Sequence, residues 1–352
     1  MSEVVFSMAT HDDDAALRRL LASSPMPGHI RLRLEREPDY FAGCGTMGSF
    51  TQVLVARDAE RVVGLSCRAV RTLYVNGQPE DVGYLGHLRV QREYQGRSLV
   101  VRGFRHLHEL HADRRVRGYL TTIVDGNREA EGVLVRRRRG PMPRYRFLDR
   151  LITLAFATPS RLFRGARRVR EEQRADVEAF LEREGPRRNF FPVLRDTPGL
   201  TARDFVLVTR NGRMAGAAGL WDQSSVKQTV IDGYDGLLSA ARPVYNCAAR
   251  IIGRPPLPRP GAALRVAYGS FFCAIDRQVV RELLEEVLLL AAERGHEMVL
   301  VGFTESDPSL EAARQLRHIE YRSSIYSVTW DDGEHFHDRL DSRPRYLELA
   351  TL

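Results

Sequence analysis

The same order of predicted elements occurs twice in this 352-residue chain, with matching elements about 180 residues apart. Each block is a strand, a loop or turn, a helix with one apolar face and a second strand, as the hydrophobic periodicity indicates. In the first block these elements are Val82–Val90, Gln91–Arg97, the helix through Arg114, and Tyr119–Val124. In the second block they are Leu264–Ala274, the turn at Asp276, the helix that ends at Gly295, and Met298–Phe303. A duplication of this size predicts two related domains in tandem.

The domain boundaries follow from where each block and the hairpin before it begin. Two antiparallel strands are predicted ahead of each block, separated by turn residues such as Asn211-Gly212. We therefore expect an N-terminal domain over residues 1–150 and a C-terminal domain over residues 201–352. Residues 151–200 contain a short apolar stretch, a basic stretch and a predicted helix, and form the connection. The predicted fold class is α/β, with a mixed sheet in each domain.

The composition is that of an ordinary globular protein, with 43% hydrophobic and 28% charged residues. No stretch reaches the ~20 apolar residues of a membrane-spanning helix, and residues 1–10 lack the features of a signal peptide. We therefore expect no transmembrane segment and a cytoplasmic location. This composition excludes a mainly disordered chain.

The four cysteines, Cys44, Cys67, Cys247 and Cys273, are far apart and form no Cys-x-x-Cys pair. This spacing encodes neither a disulfide framework nor a zinc ribbon, so no metal is predicted. Each cysteine is expected to be a small buried apolar residue.

The segment from Leu85 to Val100 carries the most chemical information. A strand ending at Val90 leads through a loop that contains Gly96 directly into a helix. This arrangement directs several backbone N–H groups and the positive end of the helix dipole towards one point. Such a point suits the pyrophosphate of a nucleotide cofactor.

This segment resembles the acetyl-CoA loop of the GNAT superfamily of N-acetyltransferases, whose pattern is Val followed by Gln/Arg-x-x-Gly-x-Gly/Ala at the helix start. Val90 and Gln95 match, and the Asn-x-x-Ala of the family's next helix matches Asn127 to Ala130. The resemblance implies that acetyl-CoA or another acyl-CoA is the co-substrate. It also implies contacts with the strand end, the loop and the following helix starts, namely Leu88, Val90, Gln95, Gly96, Arg97, Ser98, Leu99 and Asn127.

Three positions depart from the family pattern. Ser98 replaces the first glycine of the signature and Val100 its last small residue, where a side chain is expected to crowd a close backbone approach. Leu134 stands where the family often has a tyrosine that acts as general acid. The usual proton donor is therefore missing.

The second block resembles a degenerate copy of the same repeat. Its loop, Ala274 to Val279, contains no glycine, and the carboxylate of Asp276 at the helix start is expected to repel a pyrophosphate. The mycothiol synthase and N-myristoyltransferase families are similar in combining one half that binds acyl-CoA with one degenerate half. After this block, Tyr346–Ala350 is predicted as a strand that docks on the rest of the chain.

The resemblance implies an acyl-CoA-dependent N-acyltransferase, in the first place one that transfers acetyl to an amine of a small molecule or peptide. An amine attacks the thioester directly, a base removes its proton, and backbone N–H groups polarise the carbonyl. The candidate catalytic residues are His87, ranked first for its pKa, and Tyr84. Strand alternation places these two side chains on opposite faces.

Two alternatives remain open from the sequence. The departures at Ser98, Val100 and Leu134 favour a non-catalytic GNAT-fold protein that binds CoA or a polyanion. The segment Arg136–Arg170 contains twelve arginines and one acid, Asp149, so the net charge of +8 resides there. This segment favours a transferase that contacts RNA or aminoacyl-tRNA.

Overall fold

The computed structural model describes residues 3–25, 29–96, 98–135, 141–162, 164–197, 199–251, 257–333 and 335–352. The strands of these residues are β1 Val5–Met8, β2 Ile30–Glu35, β3 Phe50–Asp58, β4 Arg61–Val75, β5 Gln78–Val90, β6 Tyr119–Val124, β7 Arg144–Ala157, β8 Phe205–Arg210, β9 Arg213–Trp221, β10 Gln228–Tyr234, β11 Val266–Ala274, β12 Met298–Thr304 and β13 Ile319–Thr329. The helices are α1 Asp14–Ala22, α2 Tyr40–Gly45, α3 Leu99–His111, α4 Arg128–Ala130, α5 Arg174–Glu184, α6 Gly236–Ile251, α7 Arg277–Glu293, α8 Ser309–Ala313 and α9 His335–Asp338. The predicted mixed α/β fold with a repeated strand-helix-strand order is confirmed.

One continuous sheet contains eleven of these strands, in the order β1-β3-β4-β5-β6-β13-β7-β12-β11-β9-β8. Within the N-terminal half β5 is parallel to β6, and within the C-terminal half β11 is parallel to β12. The helix between each parallel pair, α3 or α7, packs one apolar face on the sheet. Residues Val279, Leu283, Val287 and Leu290 of α7 are fully buried.

The centre of the sheet contains an exchange of strands between the halves. β7 follows β6 in the chain, yet residues 151–157 pair antiparallel with β12 of the C-terminal half. β13, from the end of the C-terminal block, pairs with β6 of the N-terminal half. Each half is therefore completed by a strand from the other, and the predicted boundary after residue 150 falls inside β7.

A second, two-stranded sheet also joins the halves. β2 precedes the N-terminal block and β10 precedes the C-terminal one, and the two pair antiparallel from Glu35 opposite Gln228 to Ile30 opposite Tyr234. This pairing places the segment that follows β2 beside the turn that precedes β10.

Two local expectations are wrong. Tyr346–Ala350 is buried, as docking requires, but it is not a strand, and a short 3-10 helix covers Leu349–Thr351. Cys44, Cys67 and Cys273 are buried as expected, whereas Cys247 on α6 is exposed. In the described ranges, no helix combines the length and the apolar character needed to cross a membrane.

Candidate functional site

The parallel strands β5 and β6 part at one end. They pair only at Gly83 with Tyr119 and at Tyr84 with Leu120. The hydroxyl of Thr121 still donates to the carbonyl oxygen of Leu85 at 2.7 Å, after which the rest of β5 has no partner on the β6 side. A gap opens at the carboxyl ends of the two strands, close to the start of α3, and ligands of open α/β sheets bind at such edges.

A bulge in β5 lies inside this open stretch. The register with β4 shifts between the pairs Leu65–Arg89 and Cys67–Gly86, so His87 and Leu88 both stand opposite Ser66. The φ of His87 is +55°, a left-handed conformation that is uncommon for a residue with a side chain.

The bulge reverses the alternation of side chains at His87. Tyr84 packs in the same apolar cluster as Tyr40 and Cys44, and the His87 ring contacts those same two residues. The expectation that Tyr84 and His87 lie on opposite faces is therefore wrong, because the extra residue returns His87 to the Tyr84 face.

The loop between β5 and α3 is built as the sequence indicates. The side-chain amide of Gln91 donates to the carbonyl oxygen of Val62 at 2.9 Å and fixes the start of the loop. Gly96 and Ser98 both have positive φ, +78° and +56°, so the chain turns sharply before α3 begins at Leu99. Gln95, Gly96 and Ser98 are exposed at the mouth, and Arg97 lies outside the described residues.

A small apolar cavity of about 30 Å³ lies between α3 and the strands β3, β4 and β5. Leu88, Val90 and Leu99, three of the predicted cofactor-binding residues, line it. Val100 also lines this cavity and packs against the apolar cluster of Phe104. The expectation that Val100 crowds a close backbone approach stays a prediction.

The His87 ring is held between a cation and a phenol. Its Nε2 lies 3.4 Å from a terminal nitrogen of Arg36, and its Nδ1 lies 2.9 Å from the hydroxyl of Tyr40. A guanidinium has only donors, so Nε2 accepts and the ring proton is on Nδ1. Burial, with the charge of Arg36, lowers the pKa of His87. The ring is therefore neutral at pH 7.

Two thiols share this cluster. Cys44 Sγ lies 4.0 Å from His87 Nδ1, and the ligand atoms of Cys44, Cys67 and His87 all lie within 4.8 Å of one another. The hydrogen bond from Cys67, together with His87 and Arg36, lowers the pKa of Cys44 to about 5, while the pKa of Cys67 is raised well above its ordinary value. Cys44 is thus the thiolate of the pair.

The same three residues have the donor types of a soft metal site. A histidine that binds a metal through Nδ1 must donate a proton from Nε2 to a neighbour. The Arg36 guanidinium cannot accept that proton and repels a cation. The arrangement therefore suits a buried thiolate beside a cation better than a zinc site.

No protein-family model and no curated protein sequence matches this chain. A conserved protein of unknown function from Enterococcus faecalis, described as a probable N-acyltransferase, is structurally similar with a TM-score of 0.48 at 7% identity, over 93% of this chain and 72% of that one. A structure of Saccharomyces cerevisiae N-myristoyltransferase with bound myristoyl-CoA is similar over 94% of this chain and 79% of that one, with a TM-score of 0.59 and 9% identity. A second structure of that enzyme, with myristoyl-CoA and inhibitors, matches over 99% and 87% with the same TM-score and identity. The chain has the GNAT fold.

Within this GNAT fold, Tyr84 is a core residue. Its hydroxyl lies 2.9 Å from the Thr122 hydroxyl, and the guanidinium of Arg71 lies 5.7 Å from its ring centroid. Burial raises the pKa of Tyr84, so the phenol stays protonated at neutral pH. Its hydroxyl contact links β5 to β6, and a catalytic role for Tyr84 stays a prediction.

Asn127 and Leu134, which lie at and after the start of α4, make local structural contacts. Asn127 Oδ1 accepts from the backbone N–H of Ala130 at 3.1 Å and caps α4. A turn of π-helix then covers Glu131–Val135, and Leu134 within it packs against the apolar cluster of Phe104. Residues 136–140, the first part of the predicted basic segment, lie outside the described residues.

In the C-terminal half, the bulge that corresponds to His87 is at Phe271, with φ +51°. The backbone N–H of Phe271 donates to Glu348 at 2.8 Å, and that of Phe272 donates to the Tyr346 hydroxyl at 3.2 Å. Asp276 caps α7, as expected, by accepting from the N–H of Val279 at 2.9 Å. The chain's own closing segment and a carboxylate thus occupy the second copy of the site.

The arginines of the described basic segment are paired with acids. Arg164 and Arg167 both contact Glu286, Arg168 contacts Glu293, and Arg146 contacts Asp338. This pairing reduces the charge available to a nucleic acid backbone.

Proposed function

We propose that this protein is an acyl-CoA-dependent N-acyltransferase. The N-terminal half, residues 1–150, holds the acyl-CoA, and the C-terminal half, residues 201–352, shapes the acceptor cleft. The observation that carries the proposal is the gap between β5 and β6, which opens beside a left-handed loop at the start of α3. The amide groups of an extended pantetheine arm pair with the free edge of β5, and the pyrophosphate of the same acyl-CoA meets the N–H groups at the start of α3.

The small cavity supports acetyl as the acyl group. Its volume of about 30 Å³ has room for one methyl-sized group. Leu88, Val90 and Leu99 line it next to the proposed pyrophosphate loop. Acetyl-CoA is therefore the proposed co-substrate, and the acceptor is the amine of a small molecule or peptide.

The proposed reaction is a direct attack of the amine on the thioester carbonyl. His87, neutral and in the open stretch of β5, is the proposed base for the proton of the amine. Its Nε2 accepts that proton once Arg36, which donates to this nitrogen at 3.4 Å, has turned away from it. Leu134 supplies no proton to the leaving CoA. A thiol has an ordinary pKa near 8.5, so the thiolate leaves readily and takes its proton from solvent.

The proposal is tested by isothermal titration with acetyl-CoA, with desulfo-CoA as a ligand that keeps the pyrophosphate. Gly96→Glu places a carboxylate at the loop mouth, where we expect it to abolish binding. Gly212→Glu is the matched control, because Gly212 also has a positive φ and open space around its Cβ position, on a hairpin of the other half. Binding unchanged in Gly96→Glu would place the cofactor elsewhere.

A non-catalytic CoA-binding protein is the second candidate, favoured by Leu134 in place of the tyrosine acid. The two candidates differ in one measurement. A transferase releases CoA from acetyl-CoA at a rate that depends on the added amine, and a binding protein does not.

A further inference from the structure

Three basic side chains are buried where the halves meet. Arg36, Arg71 and Lys227 are 1%, 8% and 5% exposed. The buried carboxylate near them is Glu348, which accepts hydrogen bonds from the N–H groups of Phe271 and Ala350 and from the Tyr346 hydroxyl. Burying a charge is costly unless a partner compensates it, so each of these basic groups needs a partner.

Two of the three cations have partners of their own. Arg71 donates to the carbonyl oxygen of Thr351 at 3.0 Å. Lys227 donates to the backbone oxygens of Ala350 and Leu352, at 3.1 and 2.8 Å, and its ammonium lies 4.4 Å from the ring centroid of Tyr268. These contacts account for Arg71 and Lys227.

Arg36 is different, because two of its three guanidinium nitrogens, Nε and one Nη, have no hydrogen-bond partner. The third reaches only His87 Nε2, at 3.4 Å. The positive charge of Arg36 acts to lower the pKa of Tyr40, Cys44, Cys67, His87, Lys227 and Tyr268. Among the described residues, no carboxylate forms a hydrogen bond or an ion pair with Arg36, and the Cys44 thiolate is the anion of this group.

The packing around Arg36 belongs to both halves. A Cβ on Gly43 of α2 would lie 2.2 Å from Arg36 Cδ and 2.8 Å from the carbonyl oxygen of Val226, so the absence of a side chain there lets these parts meet. Val226 belongs to the turn between β9 and β10, which begins at Gln223. Gln223 is 2% exposed, and neither polar atom of its side chain has a partner. The turn that carries Gln223 thus passes beside Arg36 at Gly43, and both side chains are buried with polar atoms that lack a partner.

We propose that the acceptor amine carries a carboxylate, which Arg36 binds with help from Gln223. This inference rests on the proposed function and names its substrate class: an amino acid or a short peptide with a free carboxylate near the reacting amine. The guanidinium fork matches a carboxylate, and the place of Arg36 beside His87 Nε2 puts the anchored acid next to the proposed base. Desolvation in the closed site strengthens the pairing.

The test uses three minimal product analogues that differ only in the anchored group: N-acetylglycine, N-acetylglycinamide and N-acetyl-aminomethylphosphonate. Each is titrated into the intact protein in the presence of CoA. We expect N-acetylglycine to bind at least about tenfold more tightly than the amide. Arg36→Gln should remove that preference and Arg36→Lys should restore part of it. The control, Arg281→Gln, removes an exposed arginine paired only with Glu285 and should keep the preference.

Equal binding of acid and amide, or no binding of either, overturns the proposal. A preference for the phosphonate also overturns it and assigns the anchor to a phosphate. Arg36→Gln removes a buried side chain with two unsatisfied nitrogens, so it should fold, and its thermal unfolding is measured alongside. Titration of the same proteins with acetyl-CoA distinguishes failure of this inference from failure of the proposed function. If acetyl-CoA binds but the carboxylate is not preferred, the inference is refuted and the proposed function stands.

Discussion

His87 and Phe271 occupy the same place in the two halves of the sheet. Each is a residue with a large side chain in a left-handed conformation, with φ of +55° and +51°, at a bulge in the strand that leads into the long helix of its block. A strained backbone position that recurs in both copies is evidence that the bulge belongs to the duplicated unit. The copies differ in what surrounds it: ionisable side chains meet at His87, whereas Glu348 binds the N–H of Phe271. In the described residues the closing segment covers the C-terminal copy, which is why the proposed site is the N-terminal one.

The first prediction concerns the base. If neutral His87 takes the proton of the amine, activity is lost as the pH falls through its pKa, which lies below the ordinary 6.5 because the ring is buried. The pH profile of kcat/KM, calculated on the concentration of neutral amine, should therefore be flat near pH 7 on its acid limb. His87→Gln should lower kcat by about 10²- to 10⁴-fold with acetyl-CoA binding unchanged. A profile that still rises above pH 7 after this correction for the amine, or a fully active variant, would rule His87 out.

The second prediction concerns the thiolate. Absorbance of thiolate at 240 nm should rise near pH 5 in the intact protein, because the pKa of Cys44 is lowered to about 5. Cys44→Ser should remove this step. Cys273→Ser is the control and should keep it, because burial raises the pKa of Cys273 to about 11.

The cause of the Cys44 shift is tested separately. The largest contribution is the hydrogen bond from Cys67. Cys67→Ala should therefore move the Cys44 step to higher pH, and Cys67→Ser, which keeps a donor, should move it less. If the Cys44 step stays at the same pH in both variants as in the unsubstituted protein, His87 and Arg36 alone lower the pKa of Cys44.

The third prediction concerns the last paired positions of β5 and β6, next to the gap between these strands. A Cβ on Gly83 would lie 2.1 Å from the Tyr119 ring, at one of the two positions where these strands pair. Gly83→Ala should cost about 1–3 kcal/mol of stability and weaken acetyl-CoA binding, because the strands must shift. Gly45→Ala in α2 has nothing within 4 Å of the added carbon and should change neither. Both effects are read from thermal unfolding and titration.

The fold was largely predictable because its signals are local. The apolar positions of α7, the cap at Asp276 and the loop before Leu99 lie within a few residues of the structure that they specify. The cluster at His87 was not predictable. Cys44 and Cys67 are far from His87 in the chain, and the bulge that turns His87 towards them depends on pairing with β4, so alternation alone gives the wrong face.

The prediction of a strand at the closing segment was wrong for a related reason. Tyr346–Ala350 alternates as a strand does, but its groups are satisfied by side chains and by single backbone contacts, such as the N–H of Tyr346 to the carbonyl oxygen of Asn189 at 2.8 Å. No sequence pattern indicated a role for Arg36. Its proposed role depends on burial of a guanidinium without a full set of partners, and the packing of both halves produces that burial.

The exchange of β7 and β13 leads to the last prediction, which concerns cooperativity between the halves. Leu151–Ala157 of β7 lie between β12 and β13, both from the C-terminal half, and β13 also covers β6. A fragment of residues 1–160, cut in the exposed loop after β7, loses every partner of this apolar segment and leaves the edge of β6 bare. We expect the fragment to show no cooperative unfolding by circular dichroism, and residues 161–352 alone to behave likewise. Co-expression of the two fragments should restore one complex with a single thermal transition. Independent cooperative folding of residues 1–160 would contradict the exchange and restore the simpler arrangement of two self-contained domains.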